Sequence, residues 1–212
     1  MVVIPNGFDF DHFNAQRIAR STVRNELGLH PSELLIGCVG RFHPDKGHDT
    51  LIKAVALLRN RKDQKIRFLL VGRDCEQNNL ELMSLLNSLE LTALFILLGE
   101  RTDIPECLAA MDIFCMPSRK EGFPNGLGEA MSMGLPCVAT DVGDVHVLVE
   151  DTALLVAPDD PEALARGLTE MIEMDPDQRK MLGQKALMRV HSKFSLESVH
   201  ERFYALYKEL SH

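Results

Sequence analysis

The chain has 212 residues, 45% hydrophobic and 25% charged, with 31 acidic against 23 basic side chains and a net charge of −8. That length fits one large domain, and the balance of apolar and charged residues excludes a mainly disordered chain. No apolar run reaches the roughly 18 residues that span a bilayer. The acidic excess makes nucleic acid and anionic lipid poor general partners, while a local basic site for a small anion remains open.

The chain starts with an apolar, strand-like piece, Met1-Val-Val-Ile4, that runs into a Pro5-Asn6-Gly7 turn. Residues 9 to 30 are charged helical material, and the whole reads as entry into a domain from something upstream. No basic stretch precedes an apolar run here, so no secretory leader is expected, and the setting is expected to be cytoplasmic. Six short apolar runs follow: Leu34 to Gly40, Ile66 to Gly72, Leu94 to Gly99, Ile113 to Met116, Pro136 to Ala139 and Ala153 to Val156. Their apolarity is continuous rather than alternating, as in strands covered on both faces of a parallel sheet.

Helical patterns fill the gaps. Leu51, Ile52, Val55 and Leu58 repeat at helical spacing behind the candidate caps Asp49 and Thr50. Further helices are expected over Leu80 to Leu89, Pro105 to Met111, a segment containing Glu129 to Met133, and Pro161 to Met174. Two more close the chain, Pro176 to His191 and Leu196 to Leu210. Six strand-then-helix units in series predict an α/β fold: a doubly wound, mostly parallel six-stranded sheet with helices on both faces. The five cysteines form no Cys-x-x-Cys pair, and Cys38, Cys115 and Cys137 lie inside predicted strands, so reduced core cysteine is expected.

In such sheets ligands bind at the carboxyl ends of the strands, near the switch in strand order. Two loops there carry chemistry. In Gly40-Arg-Phe-His-Pro-Asp-Lys-Gly47 two cations flank a turn, and a helix begins just beyond. Arg41, Lys46 and free helix N–H groups could clamp a diphosphate, or the cations could be solvated turn residues. The loop is neither a Walker A motif nor a Gly-x-Gly-x-x-Gly turn. The second loop, Pro117 to Met131, places Glu121 and Glu129 seven residues apart around Gly122, Gly126 and Gly128. If a helix starts near Asn125 or Gly126, Glu129 lies in its first turn with Glu121 before it, and the amides between are available to an anion or a sugar oxygen. The carboxylates can accept from vicinal hydroxyls, or serve as a cap and a loop charge. With a strand order of 3-2-1-4-5-6 both loops open on one crevice.

Taken together, these segments resemble the C-terminal, donor-binding half of retaining glycosyltransferases of the glycosyltransferase B (GT-B) fold, family 4 (group 1), a Rossmann-like domain. The matching pieces run in order from Pro5-Asn-Gly-Phe-Asp9 through Gly40-Arg41, Lys46-Gly47, Leu70-Val-Gly72 and Leu98-Gly99. They continue with Pro117-Ser118, Glu121-Gly-Phe-Pro-Asn125, Glu129-Ala-Met131, Gly134-Leu-Pro136 and Ala139-Thr-Asp-Val-Gly143. The resemblance implies that Arg41 and Lys46 neutralise the donor diphosphate, that Gly40 admits the phosphates, and that Glu121 faces the sugar near its reactive carbon. Glu129 would accept from the ribose hydroxyls, and Phe123, Pro124, Asn125, Gly126 and Leu127 would line sugar and phosphate with their backbone. Arg101 and Ile104 would border the nucleobase.

The implied reaction moves a sugar from a UDP, GDP or ADP sugar to a hydroxyl with retention, with no cofactor and no divalent metal, and Glu121 is not read as a nucleophile. The implied layout is an interdomain hinge over 1–14, a donor-binding domain over 15–194 and a C-terminal helix over 195–212 that packs back toward a missing N-terminal, acceptor-binding domain. Asp144 and Val147 depart from the family, which has a second glycine and a later glutamate there. Two other readings compete: a non-catalytic nucleotide-sugar-binding module, and a nucleotide-sugar epimerase, for which no ring-facing acid/base pair is evident. Asp9-Phe-Asp11 and the pair His43 and His48 are read as turn and loop residues rather than metal ligands.

Overall fold

The computed structural model describes residues 4–58 and 65–211, so Met1 to Val3 of the expected opening strand lie outside the described residues. The strands are β1 (Leu34–Val39), β2 (Ile66–Val71), β3 (Phe95–Gly99), β4 (Ile113–Met116), β5 (Cys137–Thr140) and β6 (Leu154–Val156). They form one parallel sheet in the order β3-β2-β1-β4-β5-β6. β1 is central, and the order turns between it and β4.

Neighbouring residues on each strand face opposite cores, as the period of two requires. Leu35, Leu69, Val71 and Phe114 point to one hydrophobic cluster, and Ile36, Phe68, Leu70 and Cys115 to the other. The helices are α1 (Ser21–Glu26), α2 (His48–Leu58), α3 (Leu80–Ser88), α4 (Ile104–Ala110), α5 (Asn125–Ser132), α6 (Val145–Val149), α7 (Pro161–Glu173), α8 (Pro176–Phe194) and α9 (Leu196–Leu210). Residues of α2, α3 and α7 build one core layer. Residues of α1, α4, α5, α6 and α8 build the other. All five cysteines are buried and free, and burial raises the thiols of Cys38, Cys75, Cys107, Cys115 and Cys137 above their ordinary range.

Several boundaries differ from expectation. α2 begins at His48, directly after a 3-10 turn over Pro44–Lys46, so Asp49 lies in its first turn instead of capping it. α5 starts at Asn125, where the second loop's reading put it, but Glu129 then falls beyond its first turn rather than within it, and α8 runs three residues past His191. Pro136, lacking an N–H, stands outside β5. α6 was not expected at all.

The chain's opening is tied to its end. Phe8 N–H donates to Phe194 O at 2.8 Å, and Leu196 N–H donates back to Phe8 O at 3.2 Å. The Phe8 ring is buried and rests against Gly128 of α5, where an added Cβ would meet it at 1.9 Å. A phenyl that close needs glycine beneath it. The Asp9 carboxylate accepts from the Asp11 and His12 amides, and Asp11 pairs with Arg17. Along α9, Phe203, Tyr204, Tyr207 and Leu210 are exposed. No helix among the described residues is long and apolar enough to cross a membrane.

Candidate donor-binding site

The two glycine-rich loops meet at the carboxyl edge of the sheet. Gly47 has φ +63°, and an added Cβ would stand 2.0 Å from Pro117 O. Only glycine tolerates both the left-handed backbone and that approach. The amides of Arg119 and Lys120 donate to Asp45 O at 2.7 and 3.3 Å, which stitches the loop after β4 to the 3-10 turn after β1. A third loop closes in from β5, where the Asp144 amide donates to Gly122 O at 3.2 Å. Gly143, also left-handed, lies where a Cβ would meet Glu121 O at 2.1 Å.

That stitching brings Lys46 and Glu121 together across 75 residues of sequence. Lys46 Nζ donates to Glu121 Oε1 at 2.7 Å, and the Ser118 hydroxyl donates to the same oxygen at 2.7 Å. Glu121 is largely shielded and Lys46 half-buried. An ammonium has three donors. Glu121 takes one of them, and no other partner of Lys46 is found among the described residues. Glu121 Oε2 is likewise without a partner there.

Gly40 lies beside the Lys46 stem, at 3.8 Å from a hypothetical Cβ. Gly126, in the first turn of α5, comes within 3.4 Å of Val39 O by the same measure. The N-terminus of α5 therefore abuts the end of β1. Its first amides, at Asn125 and Gly126, find no acceptor among the described residues, and they add partial positive charge to that of Lys46. The Asn125 side chain accepts from Asn6 Nδ2 at 2.9 Å, so the hinge segment reaches this helix end. Phe123 turns its ring away, onto Phe8 and Phe194 at centroid distances of 6.0 and 5.7 Å. Pro124 and Leu127 are buried, Leu127 in the core, which leaves their backbone to the crevice.

On the other side of Gly40 opens a cavity of about 270 Å³, lined by Gly40, Arg41, Gly72, Arg73, Arg101 and Ile104 among others. Arg41 is exposed and has no hydrogen bond or ion pair among the described residues. Arg101 is heavily engaged, bridging Glu26 at 2.7 and 3.1 Å and Asp103 at 2.7 Å twice. Both carboxyls are held below the usual range by its hydrogen bonds. Arg101 thus stands as a fixed wall, and Arg41 as an exposed cation at the mouth, without an ionic partner among the described residues. Lys46, Glu121 and Glu129 do not line this cavity. Glu129 is half-buried on α5, and desolvation raises its carboxyl above the ordinary range against the lowering influence of His12.

Larger hollows elsewhere lack such convergence. One of about 530 Å³ at the C-terminal end of α5 is lined by Phe10, Phe13, Met133, Met188 and His191. Another of about 750 Å³ lies at the amino edge of the sheet, by Leu34 and Lys65. Neither collects amides and cations at the strands' carboxyl ends, so volume alone does not mark the site.

Two important residues escaped sequence reasoning. His48 is no loop residue but buried, with its Nδ1 unpartnered and its Nε2 3.7 Å from Cys75 Sγ. Cys75 Sγ also lies 3.4 Å from Gly40 O, so this pair underpins the glycine of the first loop. Desolvation lowers the His48 imidazole to about 4. Arg119 is the other, with ion pairs to Asp49 and Asp159. Only the run of polar residues next to each motif hinted at them. Among the described residues no three His, Cys, Asp or Glu side chains gather as a metal site.

A doubly wound parallel sheet with unbonded helix amides and cations at its switch point is a Rossmann-like domain of the kind that forms half of a GT-B enzyme. Comparison with known proteins gives the family. A family model for glycosyl transferases, group 1, matches residues 33–174, and the chain belongs to that family. It is 31% identical, over 98% of its own length and 60% of the relative's, to the lipopolysaccharide core biosynthesis mannosyltransferase LpsB of Rhizobium meliloti. It superposes on Alr3699/HepE of Anabaena, solved in complex with UDP-glucose, with a TM-score of 0.85 and 27% identity, covering 98% of this chain and 57% of that one. The C-terminal domain of the group 1 glycosyl transferase LpcC of Francisella tularensis shares the fold (TM-score 0.68, 23% identity, 92% of this chain and 97% of that one). The chain spans 38 to 60% of the length of the first curated relatives it matches.

Proposed function

We propose that this chain holds the donor of a sugar-transfer reaction, a nucleoside-diphosphate sugar, in the crevice between Gly40 and α5. The observation that carries this reading is the convergence of Lys46, Glu121 and the first turn of α5 on the carboxyl end of β1. The Lys46 ammonium keeps donors free for a phosphate while Glu121 fixes its position. Arg41 swings in from the mouth to share the second phosphate, and the unbonded amides of Asn125 and Gly126 meet the charge end-on. The nucleoside side then falls toward the cavity walled by Arg101 and Ile104. Glu129 accepts from ribose hydroxyls, and the free Oε2 of Glu121 faces the sugar.

The chemistry is charge management. When the bond from the anomeric carbon to the diphosphate oxygen breaks, negative charge grows on the leaving group. Groups already oriented toward it lower the barrier, because they need no reorganisation. Arg41, Lys46 and the α5 amides supply positive charge without a divalent ion. Transfer to an acceptor hydroxyl proceeds with retention, Glu121 acting as a fixed negative charge rather than a nucleophile. Names of relatives support the class: mannosyl- and galactosyltransferases match this chain. Acceptor binding belongs to a partner half, so the chain alone binds donor but transfers sugar poorly.

Titration calorimetry with UDP, GDP and ADP, with and without EDTA, tests the reading. Binding of one nucleotide that survives EDTA and weakens in Arg41→Ala supports it. Binding that ignores Arg41→Ala and Lys46→Met rejects the clamp. Adding an N-terminal half and finding transfer separates enzyme from binding module, and an altered stereocentre on the free sugar nucleotide marks an epimerase instead.

A further inference from the structure

Lys46 and Glu121 sit on separate loops, and something must hold those loops at the separation that a 2.7 Å contact needs. Arg119 lies two residues before Glu121, and its backbone amide is bonded to the residue preceding Lys46. Its guanidinium uses every N–H it has. Nε donates to Asp159 Oδ1 at 2.7 Å, Nη1 to Pro44 O and Asp49 Oδ1 at 2.7 Å each, and Nη2 to Asp49 Oδ2 at 2.8 Å and Thr50 Oγ1 at 2.9 Å. Those acceptors belong to the 3-10 turn after β1, the first turn of α2 and the loop after β6. One side chain therefore ties the loop bearing Glu121 to both flanks of Lys46. The bidentate contact to Asp49 fixes direction as well as distance, and a lysine, with three donors on a point charge, cannot reproduce it.

We propose that Arg119 is a positioning residue: it sets the Lys46–Glu121 contact and, through it, the grip on the donor diphosphate, an inference that rests on the donor-site reading above. Arg119 does not touch the substrate. Its guanidinium ends on Pro44, Asp49, Thr50 and Asp159, and its effect is transmitted by the short backbone segments Asp45-Lys46 and Lys120-Glu121. Loosening it lets the two loops drift apart and leaves Lys46 free to wander, so the loss falls on the diphosphate and spares the nucleoside.

The test is the ratio of nucleoside diphosphate to nucleoside affinity in wild type, Arg119→Gln and Lys46→Met, for the base that wild type prefers. Arg119→Gln is expected to weaken the diphosphate about tenfold while leaving the nucleoside within about twofold, and to add little in the Lys46→Met background. A residue that only stabilises the fold lowers the melting temperature and leaves that ratio unchanged, which would overturn the proposal. A crystal structure of Arg119→Gln gives a readout independent of nucleotide. Separation of Lys46 Nζ from the Glu121 carboxylate beyond about 4 Å supports it, and retention of the contact refutes it. Wild type that binds no nucleotide would sink the donor-site reading, and the crystal structure then decides Arg119 alone. Should Arg119→Gln fail to fold, Asp49→Asn, which leaves Arg119 its other acceptors, is read by the same ratio and the same contact.

Discussion

The loop after β1 carries two cations in opposite states. Lys46 is braced, held by Glu121 in a knot that includes Ser118, Arg119 and the carbonyl of Asp45. Arg41, five residues earlier, extends from the mouth of a cavity with no ionic partner among the described residues. On the proposed donor-binding reading, that difference divides the work. The braced side is preorganised, so its interaction with a growing negative charge needs no rearrangement. On the donor-site reading proposed above, the open side orders a long side chain on contact, at a cost of up to about 2 kcal/mol of rotamer freedom, and closes over the ligand.

Breaking the braced side at its backbone should have the largest effect. Gly47→Ala places a Cβ 2.0 Å from Pro117 O at a left-handed position. We expect a loss of more than about 3 kcal/mol in chemical denaturation, and loss of nucleotide binding with it. The next break is by pH. His48, behind the same loop, has its imidazole lowered from 6.5 to about 4. The unfolded chain therefore takes up this proton before the folded one does. Stability is complete above 6.5 and falls as pH drops toward 4, by about 3 kcal/mol across that window. Urea melts at pH 7 and pH 4.5 should show this fall, and His48→Leu should flatten it. Asp49, held low by Arg119, adds a loss in the same direction only as pH falls below the ordinary carboxylate range.

Smaller effects sharpen the contrast between the cations. Lys46→Met is expected to weaken a nucleoside diphosphate about 10- to 100-fold, or about 1.4 to 2.8 kcal/mol. Arg41→Ala is expected to weaken it about tenfold without moving the melting temperature, since the side chain is exposed and makes no hydrogen bond or ion pair among the described residues. Calorimetry beside thermal melts distinguishes the two. Gly122→Ala should be nearly silent, within about 0.5 kcal/mol, because an added Cβ there meets no atom within 4 Å.

Much of this architecture was legible from local pattern. Continuous apolar runs marked β1 to β6, since both faces of the sheet are covered, and the switch in strand order located the crevice. The nearness of Lys46 to Glu121 followed once those strands were placed. What escaped depends on partners far along the chain. Arg119 reads as one more loop cation until Asp49 and Asp159, 70 and 40 residues away, are seen around it. His48 reads as polar until α2 is found to begin on it and to turn it inward against Cys75. α6 is five residues long, too short to show a helical period.

The central claim is that charges from two distant loops close on one diphosphate. A crystal structure of the chain soaked with a nucleotide sugar tests it most directly. The account predicts diphosphate oxygens about 3 Å from Lys46 Nζ, from the Arg41 guanidinium and from the Gly126 amide. A diphosphate seated away from all three, in the hollow beside Phe10 and His191 for example, would contradict it.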